Sequence, residues 1–349
     1  MKSLAVKYRP TEISDMVEQN ITCKLVSKVL ERREFKNAYL FAGPSGCGKT
    51  TIARCFANKI NKVTATDRSP AYIEIDAASN NGVDQIRAIL EEAKTRDLFH
   101  EYKIFIIDEC HMITSAGWNA FLKGIEEPSE FTIYLFCTTD PNKIPATILN
   151  RVQRYNLSRI STRGIYDRLI KICNAEGFTN YEATCDLISK MARGGMRDAI
   201  TLLDQCADLS SDLNIESTKK LLGDFSYESM IKFTNYIIDG DKANVLKYIS
   251  DLYNDGYDLK CFIDTYLECL IDFNKYILFR DINLTNFPEY LEQTQDQKAN
   301  LQYVTSVQNG ASYFNWLATR VKSIKIDIKN DPIYKTTIET EFLKICVGK

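Results

Sequence analysis

Gly43-Pro44-Ser45-Gly46-Cys47-Gly48-Lys49-Thr50 decides the fold of this 349-residue chain. It fits GxxxxGKT without a mismatch, and it stands between the apolar run Ala38–Phe41 and a helical pattern over Thr50–Ile60. That strand–loop–helix setting is the one the motif requires. Glycines let backbone N–H groups turn inward around phosphate oxygens. The helix N-terminus adds unpaired donors and a favourable dipole. Lys49 supplies a point charge for the β- and γ-phosphates, and the Thr50 hydroxyl supplies an oxygen for Mg²⁺. The segment therefore reads as a nucleotide phosphate site.

Working outward, further short apolar runs read as strands: Tyr72–Ile75, Lys103–Ile107, Thr132–Cys137 and, more weakly, Val152–Leu157. Helical stripes lie between them. Ile21–Leu30 precedes the first strand, Val83–Ala93 repeats Ile86, Ile89, Leu90 and Ala93, and Ala116–Ile125 repeats Trp118, Phe121, Leu122 and Ile125. Spacings of three and four put each set on one helix face. Alternation of this kind predicts an α/β domain with a mostly parallel sheet over residues 1–160. Residues 161–223 read as a small helical unit, with helices expected over Ser161–Cys173, Tyr181–Met191 and Met196–Cys206. Residues 224–349 read as a second helical unit, with patterns near 226–238, 241–254, 259–279, 298–324 and 333–346.

A second chemical signal is Lys103-Ile104-Phe105-Ile106-Ile107-Asp108-Glu109-Cys110-His111. A buried strand ends here in two adjacent carboxylates, at the sheet edge where α/β folds bind ligands. Asp108 is placed to hold Mg²⁺ through its water shell. Glu109, one residue on, is placed to orient an attacking water or take its proton. A third is Leu135-Phe136-Cys137-Thr138-Thr139-Asp140-Pro141, where Thr138 or Thr139 reaches the γ-phosphate region. Cys110 and His111, with His100 the sole other histidine, do not make a four-ligand zinc site.

The formal net charge is -2, so no global basicity marks a nucleic-acid binder. Residues 1–60 nevertheless carry 11 Lys/Arg against 5 Asp/Glu, which fits a polyanion site near the N-terminal end. The 11 cysteines fall singly, several inside apolar runs, and read as small buried hydrophobes in a reducing compartment. Met1–Pro10 lacks the apolar core of a secretory leader, and no run of 18 apolar residues occurs. A cytoplasmic, non-membrane protein is expected.

Together these elements resemble the AAA+ ATPases, and within them the motor subunits of sliding-clamp loaders of the bacterial DNA polymerase III gamma/tau type. The resemblance rests on Lys7-Tyr8-Arg9-Pro10 with Gln19, on Gly43–Thr50, and on Glu74-Ile75-Asp76-Ala77-Ala78-Ser79-Asn80-Asn81-Gly82-Val83. It continues through Asp108-Glu109-Cys110-His111-Met112, Thr138–Pro141 with Lys143-Ile144-Pro145, and Ile148-Leu149-Asn150-Arg151. It ends on Gly194-Gly195-Met196-Arg197-Asp198-Ala199 and Leu202-Leu203-Asp204-Gln205. It is dense over 1–208 and weaker over 224–349, where helical character and position suit the family's oligomerising collar.

The resemblance implies an α/β P-loop NTPase domain with a parallel sheet (1–160), a helical lid (161–223) and an all-α collar (224–349). It implies ATP and Mg²⁺ as cofactors. Tyr8, Arg9 and Pro10 would line the adenine side, and Gly43, Pro44, Ser45, Gly46, Cys47, Gly48, Lys49, Thr50 and Thr51 would hold the phosphates. Thr50 and Asp108 would serve Mg²⁺, with Lys49 and Glu109 catalytic. Thr138 or Thr139 would be the first sensor, and Arg197 the second, on the lid. Arg151 would be an arginine finger acting on the ATP of a neighbouring subunit, with Arg154 as its rival. The family usually shows Ser-Arg-Cys where this chain has Asn150-Arg151-Val152. Asn80, Asn81, Lys94 and Arg96 would face DNA, through sequence-independent phosphate contacts.

Implied partners are other loader subunits in a five-subunit ring, the sliding clamp and primer-template DNA. Many relatives carry a four-cysteine zinc module before the Glu-Ile-Asp-Ala-Ala-Ser strand, and the interval Asn61–Ala71 has no cysteine. Relatives usually continue beyond the collar, and a sequence stopping at Lys349 is expected to be a minimal motor subunit of a reduced replication system, in a bacterial or phage-infected cell. The alternatives are another DNA-directed AAA+ motor, such as a branch-migration helicase, and an assembly subunit with little catalysis of its own.

Overall fold

A computed structural model describes residues 3–64, 71–222, 227–281 and 310–347. The chain divides into two units, Met1–Ile215 and Glu216–Lys349.

The first unit is built on five parallel strands: β1 (Ala38–Ala42), β2 (Ile73–Asp76), β3 (Lys103–Asp108), β4 (Thr132–Thr138) and β5 (Gln153–Asn156). Their order across the sheet is β2-β3-β4-β1-β5. The inner strands β1 and β4 are buried along their whole length, as the near-continuous apolar runs of a sheet covered on both faces demand. At the edges β2 alternates, and β5 buries Tyr155 among polar neighbours.

Side chains of β1 leave the sheet alternately and feed two cores. Tyr39 and Phe41 pack with Val26 of α2 (Asn20–Arg32) and with Ile52 and Phe56 of α3 (Lys49–Ile60). Ala38 and Leu40 pack with Ile86 and Ile89 of α4 (Val83–Ala93) and with Trp118 and Phe121 of α5 (Ser115–Glu126). The result is three layers, with helices on both faces. The stripes of α4 and α5 are the buried or partly buried faces of their helices, whereas Ile21 and Leu25 of α2 are exposed.

Register decides what meets at the carboxyl edge. Ala42 pairs with Thr138 and Asp76 with Asp108, so the last residues of four strands share one rim. The phosphate loop leaves this rim after β1, and the acidic pair leaves it after β3.

Three helices follow the sheet: α7 (Thr162–Glu176), α8 (Glu182–Met191) and α9 (Met196–Leu209). Ser161 caps α7 by accepting from the Gly164 N–H, and Gly177 closes it at φ 74°. Ile165, Leu169, Cys173, Cys185, Ile188 and Leu203 are buried. Two short helices have no sequence expectation behind them: α1 (Leu4–Lys7) and α6 (Ala146–Leu149). One turn gives no period to read.

A further helix without a sequence expectation, α10 (Ile215–Leu222), begins at the boundary between the units. The second unit is otherwise made of α11 (Tyr227–Ile238), α12 (Lys242–Asn254), α13 (Leu259–Asp281), α14 (Gly310–Asp327) and α15 (Tyr334–Val347). Phe233 is its hub, edge-on to Phe262, Tyr266 and Phe342 with centroids 5.1–5.2 Å apart. Of the helix expected over 298–324, residues 298–309 lie outside the described residues. Nine of the eleven cysteines are buried, and all are free thiols.

Candidate nucleotide site

The sheet rim, the N-terminal segment and α9 enclose a cavity of about 360 Å³. That is within the size range of small-molecule sites. Tyr8, Arg9 and Pro10 line one side. Ser45 through Thr51, Asp108 and Glu109, and Met196, Arg197 and Ile200 of α9 line the cavity as well. Gly43 and Pro44 sit at the loop's entry rather than in its wall.

Glycine is required where the loop turns. Gly46 and Gly48 have φ of 70° and 102°, in the left-handed region. A Cβ on Gly46 would also lie 2.9 Å from Gly195 Cα. The lid thus rests on the loop backbone, and the Met196 N–H donates to the Gly46 carbonyl at 3.0 Å. Gly43 has a different reason. A Cβ there would meet the Leu157 carbonyl at 2.5 Å, so the loop leaves the sheet against the chain that follows β5.

Lys49 is buried, and its Nζ donates to the Pro44 carbonyl at 2.8 Å. The ammonium is held on its own loop, where a phosphate oxygen is a stronger partner than a carbonyl. The Thr50 hydroxyl donates to Asp108 Oδ2 at 2.8 Å. These two hard oxygens fit Mg²⁺, which takes one or two protein oxygens and completes its shell with phosphate and water. Thr50 can offer a lone pair to the ion while still donating its proton to Asp108.

Glu109 is in the left-handed conformation, φ 46° and ψ 40°. For a residue with a side chain this costs about 1–3 kcal/mol and persists where the surroundings impose it. Its N–H donates to Asp108 Oδ1 at 2.9 Å, and its Oε2 accepts from the Thr139 hydroxyl at 3.1 Å. The two threonines that sequence left open are therefore distinct. Thr138 is fully buried, and its Oγ1 accepts from the Asp140 N–H at 3.0 Å. Thr139 touches the carboxylate.

Arg197 is exposed on the first turn of α9 and lines the cavity. Among the described residues its side chain makes no ion pair or hydrogen bond within this chain. Arg151 is elsewhere. Its guanidinium donates to the Thr147 carbonyl at 2.7 Å and pairs with Glu126 at 2.6 Å, outside the cavity. Arg154, the rival, donates to Asn156 Oδ1 at 2.8 Å. Cys47, Cys110 and Cys137 lie around the site with their thiols pushed up by burial, so they are packing groups rather than nucleophiles. Among the described residues no three or more His, Cys, Asp or Glu side chains cluster so as to hold a metal ion.

Sequence reading missed several participants. Arg168 of α7 lines the cavity and donates to the Tyr8 carbonyl at 2.9 Å. Glu176, also on α7, accepts from the Tyr8 hydroxyl and pairs with Lys7. Arg54, one turn beyond Thr50, binds Glu74 of β2 through two hydrogen bonds of 2.7 and 2.5 Å, and both residues line the cavity. Arg54 had a local signal, four residues after Thr50 on the same helix face. Arg168 had none.

The fold and this site define a nucleotide-binding AAA+ ATPase module. A family described as "DNA polymerase III, delta subunit" matches residues 71–161, and one described as "DNA polymerase III clamp loader subunit, ATPase lid domain" matches residues 164–211. The chain is 38% identical over 268 residues to DNA polymerase III subunit tau of Bacillus subtilis, covering 72% of this chain and 48% of that protein. It is 32% identical over 282 residues to the gamma/tau subunit of Mycobacterium tuberculosis, covering 75% and 49%. Among solved structures, Thermotoga maritima RuvB superposes with a TM-score of 0.52 at 20% identity, covering 66% of this chain and 79% of that one. At that identity the likeness is one of fold.

The chain belongs to the clamp-loader ATPase family of the DNA polymerase III gamma/tau type. It spans about half the length of the curated relatives it matches.

Proposed function

We propose that the chain is an ATP-driven motor subunit of a sliding-clamp loader, working in replication in the bacterial cytoplasm. ATP and Mg²⁺ occupy the cavity beneath α9. ATP binding draws the lid onto the phosphates through Arg197 and organises a ring of loader subunits, five in number. The ring opens the clamp, admits primer-template DNA, and is reset by hydrolysis. Residues 1–160 act as the ATPase domain, 161–223 as the lid and 224–349 as the collar.

The observation that carries this reading is the division of the ATPase set. Lys49, Thr50, Asp108, Glu109 and Arg197 line one cavity, while Arg151 sits outside it. A chain that carries an arginine outside its own cavity fits hydrolysis at a subunit interface, where such an arginine is worth about 10³–10⁵ in rate. Asn80, Asn81, Lys94 and Arg96 offer a polar and basic face to the DNA backbone. A catalytically idle assembly subunit has no need of the complete set.

The test is Glu109→Gln in the assembled loader. ATP binding is expected to persist while turnover falls by about 10²–10⁴, the range of a general base. Unchanged turnover removes Glu109 from this role. The rival reading is another DNA-directed motor, such as a branch-migration helicase. Junction-stimulated hydrolysis indifferent to the clamp would favour it.

A further inference from the structure

His111 follows the acidic pair on a single 3-10 turn, Cys110–Met112, and its imidazole is 12% exposed. Its Nδ1 lies 3.3 Å from Glu109 Oε2 and 3.3 Å from Thr138 Oγ1. Thr138 in turn is fixed at the end of β4 by the Asp140 N–H. One ring nitrogen thus stands between the carboxylate and the central sheet, hydrogen-bonded to Thr138. Thr139 donates to the same oxygen, Oε2. Both contacts fall on one side of the carboxyl group and leave Oε1 as the oxygen to meet a water.

We infer that His111 is a positioning residue for the hydrolytic water. In the tautomer with a proton on Nδ1, that N–H is directed to Thr138 Oγ1 and its positive end stands 3.3 Å from Glu109 Oε2, an electrostatic contact with the carboxylate. The contacts on Oε2 fix the carboxylate of Glu109, which lines the cavity, and leave Oε1 for the water. This rests on the ATPase reading above. In the step itself, Oε1 takes a proton from water as the water oxygen bonds to the γ-phosphorus. The bond from that phosphorus to the β,γ-bridging oxygen breaks, and its electron pair leaves with ADP. His111 touches neither phosphate nor water, and acts only on the direction of the base.

The geometry explains why a histidine serves here. Leucine would fill the same space without restraining Oε2. Asparagine places an N–H near the Nδ1 position and retains the restraint. Misplacing a catalytic group by about 1 Å can cost about 10² in rate.

Steady-state kcat and KM for ATP, together with binding of a fluorescent ATP analogue, test this in the assembled loader with clamp and primed DNA. The chains compared are wild type, His111→Leu, His111→Ala and His111→Asn. Leucine and alanine are expected to lower kcat by about tenfold to a hundredfold, with KM and analogue affinity within twofold of wild type. Asparagine is expected to recover most of the loss. An unchanged kcat in His111→Leu or His111→Ala overturns the inference, as does a loss that asparagine leaves in place or one matched by weaker binding. If one variant fails to fold, the other gives the same reading. A wild-type loader that binds the analogue without turnover overturns the ATPase reading itself, and the inference with it.

Discussion

Thr50 Oγ1 and Asp108 Oδ2 lie 2.8 Å apart, although 58 residues separate them in the chain. The contact joins the first turn of α3 to the end of β3 and sets two hard oxygens side by side at the edge of the cavity. It is the meeting point of the phosphate loop and the acidic strand. Asp108→Asn keeps the shape and removes the charge. Its half-saturating Mg²⁺ concentration for ATP turnover is expected to rise by an order of magnitude or more. A Mg²⁺ titration of hydrolysis checks this, and an unshifted midpoint removes Asp108 from the metal site.

Gly46 is where loop and lid share space. Gly46→Ala forces a side chain into φ 70° and places Cβ 2.9 Å from Gly195 Cα. Left-handed backbone alone costs about 1–2 kcal/mol for a residue with a Cβ. The second contact is backbone and cannot swing away. The variant is expected to lose at least that much stability in denaturant unfolding and to bind ATP weakly. Gly48→Ala meets the mobile end of Met16 instead, so its cost comes from its own φ of 102°.

Arg151 is expected to separate binding from assembled turnover. Its guanidinium is held by Glu126 and the Thr147 carbonyl, away from the cavity of its own chain. Arg151→Ala is expected to leave ATP affinity of the isolated chain intact and to reduce hydrolysis by the assembled loader by about 10³ or more. Titration of a fluorescent ATP analogue and a coupled hydrolysis assay measure the two quantities. Full hydrolysis by the assembled variant would transfer the role to Arg154.

The N-terminal segment is pinned to α7 by Glu176, which holds Lys7 and the Tyr8 hydroxyl. Hydrogen bonds from Lys7, then from Tyr8, keep the Glu176 carboxyl below its ordinary 4.5. A carboxylate lowered by folding stabilises the fold above its unfolded pKa and loses that contribution as pH falls through its folded value. Glu176→Gln is expected to lower Tm slightly at pH 7, with the gap to wild type closing as the pH drops below 4.5. Thermal melts of both chains from pH 7 to pH 3.5 follow the gap. A gap constant across that range contradicts the ion pair.

The fold and the phosphate site were legible because their signals are local. Gly43–Thr50 carries its own spacing, and the runs Lys103–Ile107 and Thr132–Cys137 are apolar because both sheet faces are covered. Other parts were not legible because they are made by distance. Arg168 reaches the Tyr8 carbonyl across 160 residues, and no pattern near either position announces it. His111 could be weighed only against a zinc site, because the partner that gives it meaning, Thr138, arrives from another strand. Thr138 and Thr139 could not be told apart until the end of β4 was placed beside β3 and Glu109.

The central claim is that nucleotide turnover in this chain serves clamp loading. Steady-state ATP hydrolysis by the subunit assembled with its partner loader subunits, with and without cognate clamp and primer-template DNA, tests it most directly. The account predicts stimulation that needs clamp and primed DNA together. Strong hydrolysis indifferent to the clamp would contradict it and point to a different DNA-directed motor.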